Sequence, residues 1–134
     1  MPNLRASWDF LERSDLVSSA AQVEAAIDRV AAEIQQPFKD RYPLVLVVMG
    51  RAVLVLDDIL DGGHTMRAIR DRVLEFGAES FHCAVLVEKI LEREKPLTAD
   101  FVGLRIPDRF VFGCGMDAKG YWRNLPEIRA MREH

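Results

Sequence analysis

The run Leu44-Val-Leu-Val-Val-Met49 is continuously apolar and rich in β-branched side chains. A strand of that kind has no polar face to turn to water, so it fits the middle of a parallel sheet covered on both sides. A second such run, Ala52-Val-Leu-Val-Leu56, follows after only Gly50 and Arg51. Parallel neighbours need a crossover of about a dozen residues or more, usually a helix, whereas two residues permit only a hairpin. Gly-Arg is a weak turn pair for one. Two alternatives stand: an unusual central hairpin, or a segment lost around Met49 to Arg51.

The rest of the pattern is α/β. Ser19-Ala-Ala-Gln22 has the capping-box form. Apolar residues then fall at Val23, Ala26, Ile27, Val30, Ala31 and Ile34, the spacing of one helical face, and Pro37 is the expected stop. Met66 to Phe76 reads as a second helix, with Gly77 at its C′ position. Phe81 to Val87 reads as a buried strand, and Asp100–Ile106 and Phe110–Gly113 as shorter ones. Strands alternating with helices predict a mainly parallel sheet.

Composition narrows the class. At 134 residues, 49% hydrophobic and 29% charged, the chain has one domain's length and an ordinary globular make-up. The net charge of −3 argues against a polybasic nucleic-acid surface. No apolar run has the length of a membrane span, and the polar start MPNLRASWDF lacks a signal peptide's apolar stretch. Cys83 and Cys114 do not make a disulfide framework. These features predict a reduced, cytoplasmic protein with no membrane or nucleic-acid partner.

The chemistry lies in Val53-Leu-Val-Leu-Asp57-Asp58-Ile-Leu-Asp61-Gly62-Gly63-His64-Thr65-Met66. Here a buried strand is expected to end in two adjacent carboxylates. A third carboxylate, two glycines, a hydroxyl and a helix start follow. A glycine turn feeding a helix offers backbone N–H groups and a positive dipole end to a phosphate, at the strand end where α/β sheets bind ligands. Carboxylates beside a phosphate need a reason. They can accept hydrogen bonds from sugar hydroxyls, or hold Mg²⁺ between protein and phosphates; a phosphorylated ribose with magnesium satisfies both. The blander alternative is a solvated strand end with Asp61 capping the helix. The string has no P-loop lysine, and the chain has no G-x-G-x-x-G.

This string resembles the phosphoribosyl pyrophosphate motif of type I phosphoribosyltransferases. Val87-Glu-Lys89, Asp100-Phe-Val-Gly103, Ile106-Pro-Asp-Arg-Phe-Val-Phe-Gly113, Met116-Asp117 and Tyr121-Trp-Arg123-Asn-Leu125 follow in order. That series resembles the C-terminal half of hypoxanthine-guanine phosphoribosyltransferases, over about Arg51 to Leu125. The resemblance implies a type I phosphoribosyltransferase fold. A single domain over 1–134 would carry a small hood made by the chain ends, about 1–17 and 104–134. It also implies purine salvage: a phosphoribosyl group moves from phosphoribosyl pyrophosphate to hypoxanthine or guanine, with Mg²⁺.

By resemblance, Asp57 and Asp58 bind the ribose hydroxyls, and the metal beside them. Asp61 handles a proton of the purine ring, and Asp61, Gly62, Gly63, His64 and Thr65 form the phosphate loop. Lys89 donates to the purine 6-oxo group, Phe110 stacks on the base, and backbone groups of Val111 read its edge. Asp117 belongs to the purine site and is linked to a second Mg²⁺, and Arg123 contacts pyrophosphate. A homodimer or homotetramer is implied. Cys83, Cys114, His82 and Trp8 are read as structural. The family also carries about 50 residues between the two strands that here abut, where the physics requires a long crossover. That insert holds a pyrophosphate turn and a mobile lid. A chain truly without it would suit the alternative function, a non-catalytic module that binds nucleotide or phosphoribosyl pyrophosphate.

Overall fold

The structure, a computed structural model, describes residues 4–38 and 52–132. The Leu44–Met49 run and the Gly50-Arg51 junction lie outside the described residues. The chain divides into two compact units, one of residues 1–25 and 108–134, the other of residues 26–107.

The second unit is built on a parallel sheet. Strands β2 (Ala52–Leu60), β3 (Ser80–Ile90) and β4 (Phe101–Pro107) lie in the order β2-β3-β4, with Ala52 opposite Ser80 and Ala84 opposite Phe101. Helix α3 (His64–Glu75) connects β2 to β3. Its Met66 and Ile69 pack with Val55, Cys83 and Val85 in one apolar cluster. A second cluster joins Leu54 and Ala84 to Val30 and Ile34, which belong to helix α2 (Ala20–Phe38). Apolar side chains on both faces of the strands explain why the runs read as continuous rather than alternating. Gly77 sits just past α3, where the Gly77 and Ala78 N–H groups donate to the Leu74 and Val73 carbonyls, closing the helix as a Schellman motif.

Several expectations need correction. Strand β2 does not end at Leu56. Its pairing runs on through Asp57 opposite Val85 to Leu60 opposite Glu88, so the paired carboxylates lie inside the ladder. The buried stripe of α2 is narrower than the spacing implied: Val23 and Ala26 are buried, whereas Ile27 and Ala31 face solvent. Helix α2 is described as far as Phe38, so it includes Pro37, the expected stop. Its start is as expected. The Ser19 N–H donates to Gln22 Oε1 at 2.8 Å, and the Gln22 N–H donates to Ser19 Oγ at 3.2 Å.

The first unit holds the strand expected at Phe110–Gly113 together with elements the sequence did not signal. Helix α1 (Leu4–Glu12) precedes β1 (Ser14–Ser18), and β1 joins β5 (Val111–Phe112) and β6 (Ile128–Met131) in an antiparallel sheet ordered β1-β6-β5. Phe112 and Ile128 are fully buried, and Phe10 meets Phe112 edge-on at 6.5 Å. The Trp122 indole N–H donates to the Ser7 carbonyl at 2.7 Å, tying α1 to the long turn before β6. Among the described residues no helix is long and apolar enough to cross a membrane.

Asp15 fastens the β1 edge of this unit. It accepts hydrogen bonds from Arg132 at 2.7 Å and Arg109 at 2.9 Å, and these guanidinium groups hold its carboxyl below the ordinary value of 3.8. A depressed carboxyl stabilises the fold above its unfolded value and loses that contribution as pH falls through its folded one. Asp15→Asn is therefore expected to lower the melting temperature slightly at neutral pH. The difference should vanish once the pH is well below 3.8. The pair is solvent-exposed, so the effect is small; a gap that persists in acid would contradict it.

Candidate functional site

The residues Asp57 to Met66 line one side of a cleft of about 460 Å³ at the carboxyl end of β2. Gly63 caps α3 with φ +81, a left-handed conformation that side chains with a Cβ rarely adopt. The first intrahelical bond runs from the Arg67 N–H to the Gly63 carbonyl, at 3.0 Å. The N–H groups of His64, Thr65 and Met66 thus open the helix without intrahelical partners. No side chain caps α3 and none in its first turn is acidic. The capping role for Asp61 is excluded here: its Oδ2 instead accepts from Lys89 Nζ at 3.1 Å.

That ion pair joins two of the expected site residues across neighbouring strands. Lys89 sits near the end of β3 with its side chain only 11% exposed, while Asp61 is 59% exposed. Lys89 is held from behind as well, since its carbonyl accepts from Lys95 Nζ. Glu88 beside it takes Arg105 at 3.0 Å and Lys95 at 3.4 Å. The strand end is thereby fixed by charge pairs on both sides.

Asp57 and Asp58 are adjacent and interact. The Asp58 N–H donates to Asp57 Oδ1 at 2.8 Å. Partial burial raises the Asp58 carboxyl above its ordinary value, and the Asp57 carboxylate beside it adds to the rise. Two like charges this close favour a cation or hydroxyl donors between them. Among the described residues, no three His, Cys, Asp or Glu side chains cluster as a metal cage. Mg²⁺ does not require one: it typically takes one or two carboxylates and completes its shell with water and substrate phosphates. The Asp57–Asp58 pair fits that habit.

Phe110, Val111, Asp117 and Arg123 belong to the first unit. Phe110 is exposed at the mouth of β5, its carbonyl accepting from the Met131 N–H at 3.0 Å, and Val111 is buried opposite Ala130. Asp117 and Arg123 form an ion pair at 2.7 Å. Asp117 also accepts from the Gly120 N–H, and Arg123 donates to the Gly115 carbonyl. The Asp117 carboxylate thus organises its own loop.

One residue of the cleft was not singled out by the sequence. Arg93, in the β3–β4 connection, also lines the cleft, with a guanidinium nitrogen 3.4 Å from where a Cβ on Gly62 would lie. It sits in Leu-Glu-Arg93-Glu-Lys95, an alternating charge run that reads as a solvated turn. Only the path of that connection, which passes over Gly63 with Pro96 and Leu97, brings Arg93 to the cleft.

Fold and site together define the class: an α/β protein with a strand, glycine turn and helix at the carboxyl edge of a parallel sheet. A family model described as phosphoribosyl transferase domain matches residues 13–119. The chain belongs to that family, and its fold is the type I phosphoribosyltransferase fold. It is 42% identical over 81 residues to the hypoxanthine-guanine phosphoribosyltransferase of Aquifex aeolicus, covering 60% of this chain and 46% of that protein. It is 36% identical over 85 residues to the enzyme of the same name from Bacillus subtilis, covering 63% and 47%. The chain spans about half the length of the curated relatives it matches. Among solved structures, a hypoxanthine-guanine-xanthine phosphoribosyltransferase superposes with a TM-score of 0.80 at 22% identity, over 89% of this chain and 94% of that one. The hypoxanthine phosphoribosyltransferase of Trypanosoma cruzi does so at 0.76 and 20%, over 90% and 97%.

Proposed function

We propose that the chain transfers a 5-phosphoribosyl group from phosphoribosyl pyrophosphate to hypoxanthine or guanine, giving IMP or GMP and pyrophosphate. The supporting observation is the Asp61–Lys89 pair beside the glycine turn. It sets a proton acceptor and a hydrogen-bond donor side by side, the two functions a 6-oxopurine's ring N–H and oxo group require. The names of the relatives point to the same activity.

A purine ring nitrogen attacks ribose C1 while the C1–O bond to pyrophosphate breaks, its electron pair leaving with the pyrophosphate. The sugar passes through an oxocarbenium-like state, as in glycoside chemistry. Asp57 and Asp58 accept from the 2′- and 3′-hydroxyls, and their charge favours the cationic sugar. Backbone N–H groups of Gly62 to Thr65 hold the 5′-phosphate. Asp61 takes the purine proton, and Lys89 donates to the 6-oxo group. Phe110 stacks on the base, Val111 reads its edge through backbone groups, Asp117 serves the base and metal side, and Arg123 takes pyrophosphate. Mg²⁺ bound with substrate at Asp57 and Asp58 would neutralise the departing pyrophosphate. A single domain with a hood from its ends, acting as a cytoplasmic homodimer or homotetramer, completes the proposal.

The test is formation of IMP from phosphoribosyl pyrophosphate and hypoxanthine by the purified chain. Binding of GMP without turnover would instead indicate a nucleotide-binding module. In an active chain, Lys89→Ala is expected to raise KM for hypoxanthine roughly tenfold to a hundredfold, the value of a hydrogen bond from a charged donor. KM for phosphoribosyl pyrophosphate should hardly move. An equal loss of adenine binding would defeat the assignment, because adenine has no 6-oxo group.

A further inference from the structure

The cleft at the glycine turn has a charge problem. Its lining includes the carboxylates Asp57, Asp58 and Asp61. A phosphate bound there would face them across a short distance, with backbone N–H groups and the Thr65 hydroxyl in its favour but no positive charge from the turn itself. Among the described residues of the lining, the one lysine or arginine is Arg93. Its guanidinium nitrogen lies 3.4 Å from the position a Cβ on Gly62 would occupy, and the His64 ring lies 3.3 Å from that same point. So Arg93 leans directly over the turn.

Arg93 stands there uncommitted. Neighbouring cations are held in ion pairs: Lys89 with Asp61, Lys95 and Arg105 with Glu88. Arg93 is exposed and enters no hydrogen bond or ion pair among the described residues, although carboxylates line the same cleft. The connection that carries it is anchored nearby. Leu97 is buried in the apolar cluster with Met66 and Val85, and Pro96 and Lys95 lie against Gly63. The anchor fixes where the loop crosses the turn and leaves the guanidinium fork available to an anion.

We propose that Arg93 grips the 5′-phosphate from the side opposite the Gly62–Thr65 backbone, so that the phosphate sits between the helix start and a guanidinium. This rests on the phosphoribose reading above. Glycine at position 62 has a second meaning on this view: a side chain there would press on the His64 ring and on Arg93 where the phosphate must enter.

The test is calorimetric titration of the full chain with GMP and with guanosine, which differ only in the phosphate. The unaltered chain is expected to prefer GMP. Arg93→Ala should shrink that preference roughly tenfold or more while leaving guanosine affinity unchanged. Arg93→Lys, which keeps the charge but not the fork, should fall between. A preference unchanged in Arg93→Ala would overturn the proposal, as would equal losses for both ligands, which would mark a merely structural loop residue. Failure of the unaltered chain to distinguish GMP from guanosine would overturn the phosphoribose reading itself, before Arg93 is in question.

Discussion

Asp61→Asn is expected to lower turnover of hypoxanthine roughly a hundredfold to ten-thousandfold, the range for losing a positioned general base. Affinity for phosphoribosyl pyrophosphate should change only a few-fold. The split follows from where the carboxylate is. Asp61 does not cap α3 and makes no side-chain bond to the glycine turn; its Oδ2 is committed to Lys89 at 3.1 Å. Asparagine has the same shape and keeps an oxygen for Lys89, so the phosphate loop is untouched. What is lost is the negative charge and the ability to take a proton. The ion pair is more than half exposed on the Asp61 side. Its contribution to stability is therefore small, about 1 kcal/mol or less. A large fall in turnover with an unchanged melting temperature would then be chemical. The measurement is single-turnover kinetics beside direct titration with phosphoribosyl pyrophosphate. Unchanged turnover would refute the base role. A parallel loss of affinity would move Asp61 from proton handling to substrate binding.

The contrast between Asp61 and Lys89 shows how far a sequence reaches. The string from Asp57 to Thr65 was legible because each residue type has a local reason: glycines for the turn, carboxylates beside it, a helix start after it. What local chemistry left open was Asp61's partner, since an aspartate before a helix is as often a cap. The answer depends on Lys89, distant in sequence and one strand over in the parallel register of β2 on β3. A lysine near a strand end is by default a surface residue, so resemblance rather than chemistry marked it. Arg93 is a sharper case. Nothing in Glu-Arg-Glu-Lys distinguishes a cleft residue from a solvated turn; the buried Leu97 and the crossing over Gly63 are what bring Arg93 to the cleft.

The same distinction governs the fold. β2 and β3 are apolar on both faces and announce themselves. Elements β1 and β6 are short, with polar residues between apolar ones, and they exist because they pair with each other, Ser14 with Met131 and Asp15 with Ala130, across most of the chain. Helix α1 is nine residues long, with Leu4, Trp8, Phe10 and Leu11 as its large apolar residues. Its reason to be helical lies in partners such as Phe112 and Trp122. Isolated helices of that length are marginal in water. Long-range pairing is invisible to a window that reads a few residues at a time.

Gly113→Ala is expected to destabilise the first unit by about 3 kcal/mol, with two causes that a control can separate. Gly113 has φ +96, which costs a residue with a Cβ roughly 1 kcal/mol or more. In addition, an added Cβ would collide with the Glu127 carbonyl oxygen. Neither neighbour can yield cheaply. The Gly113 N–H donates to the Met116 carbonyl at 2.9 Å, and the Met116 N–H returns a bond to Gly113 at 3.1 Å. Glu127 is followed by Ile128, fully buried at the start of β6, beside fully buried Phe112 in β5. Relief would require β6 to move off β5. Gly120 provides the control: φ is +84, but an added Cβ would have open space around it. Gly120→Ala should therefore cost only the backbone strain, about 1 kcal/mol. Chemical denaturation of the two variants beside the unaltered chain measures both. Equal midpoints for the two would show that the approach of Glu127 does not constrain this position. The expected difference would explain the glycine that ends Phe110-Val-Phe-Gly113. It lets β6 come close enough to hold Phe110 and Val111 in place, and it turns the chain toward Asp117.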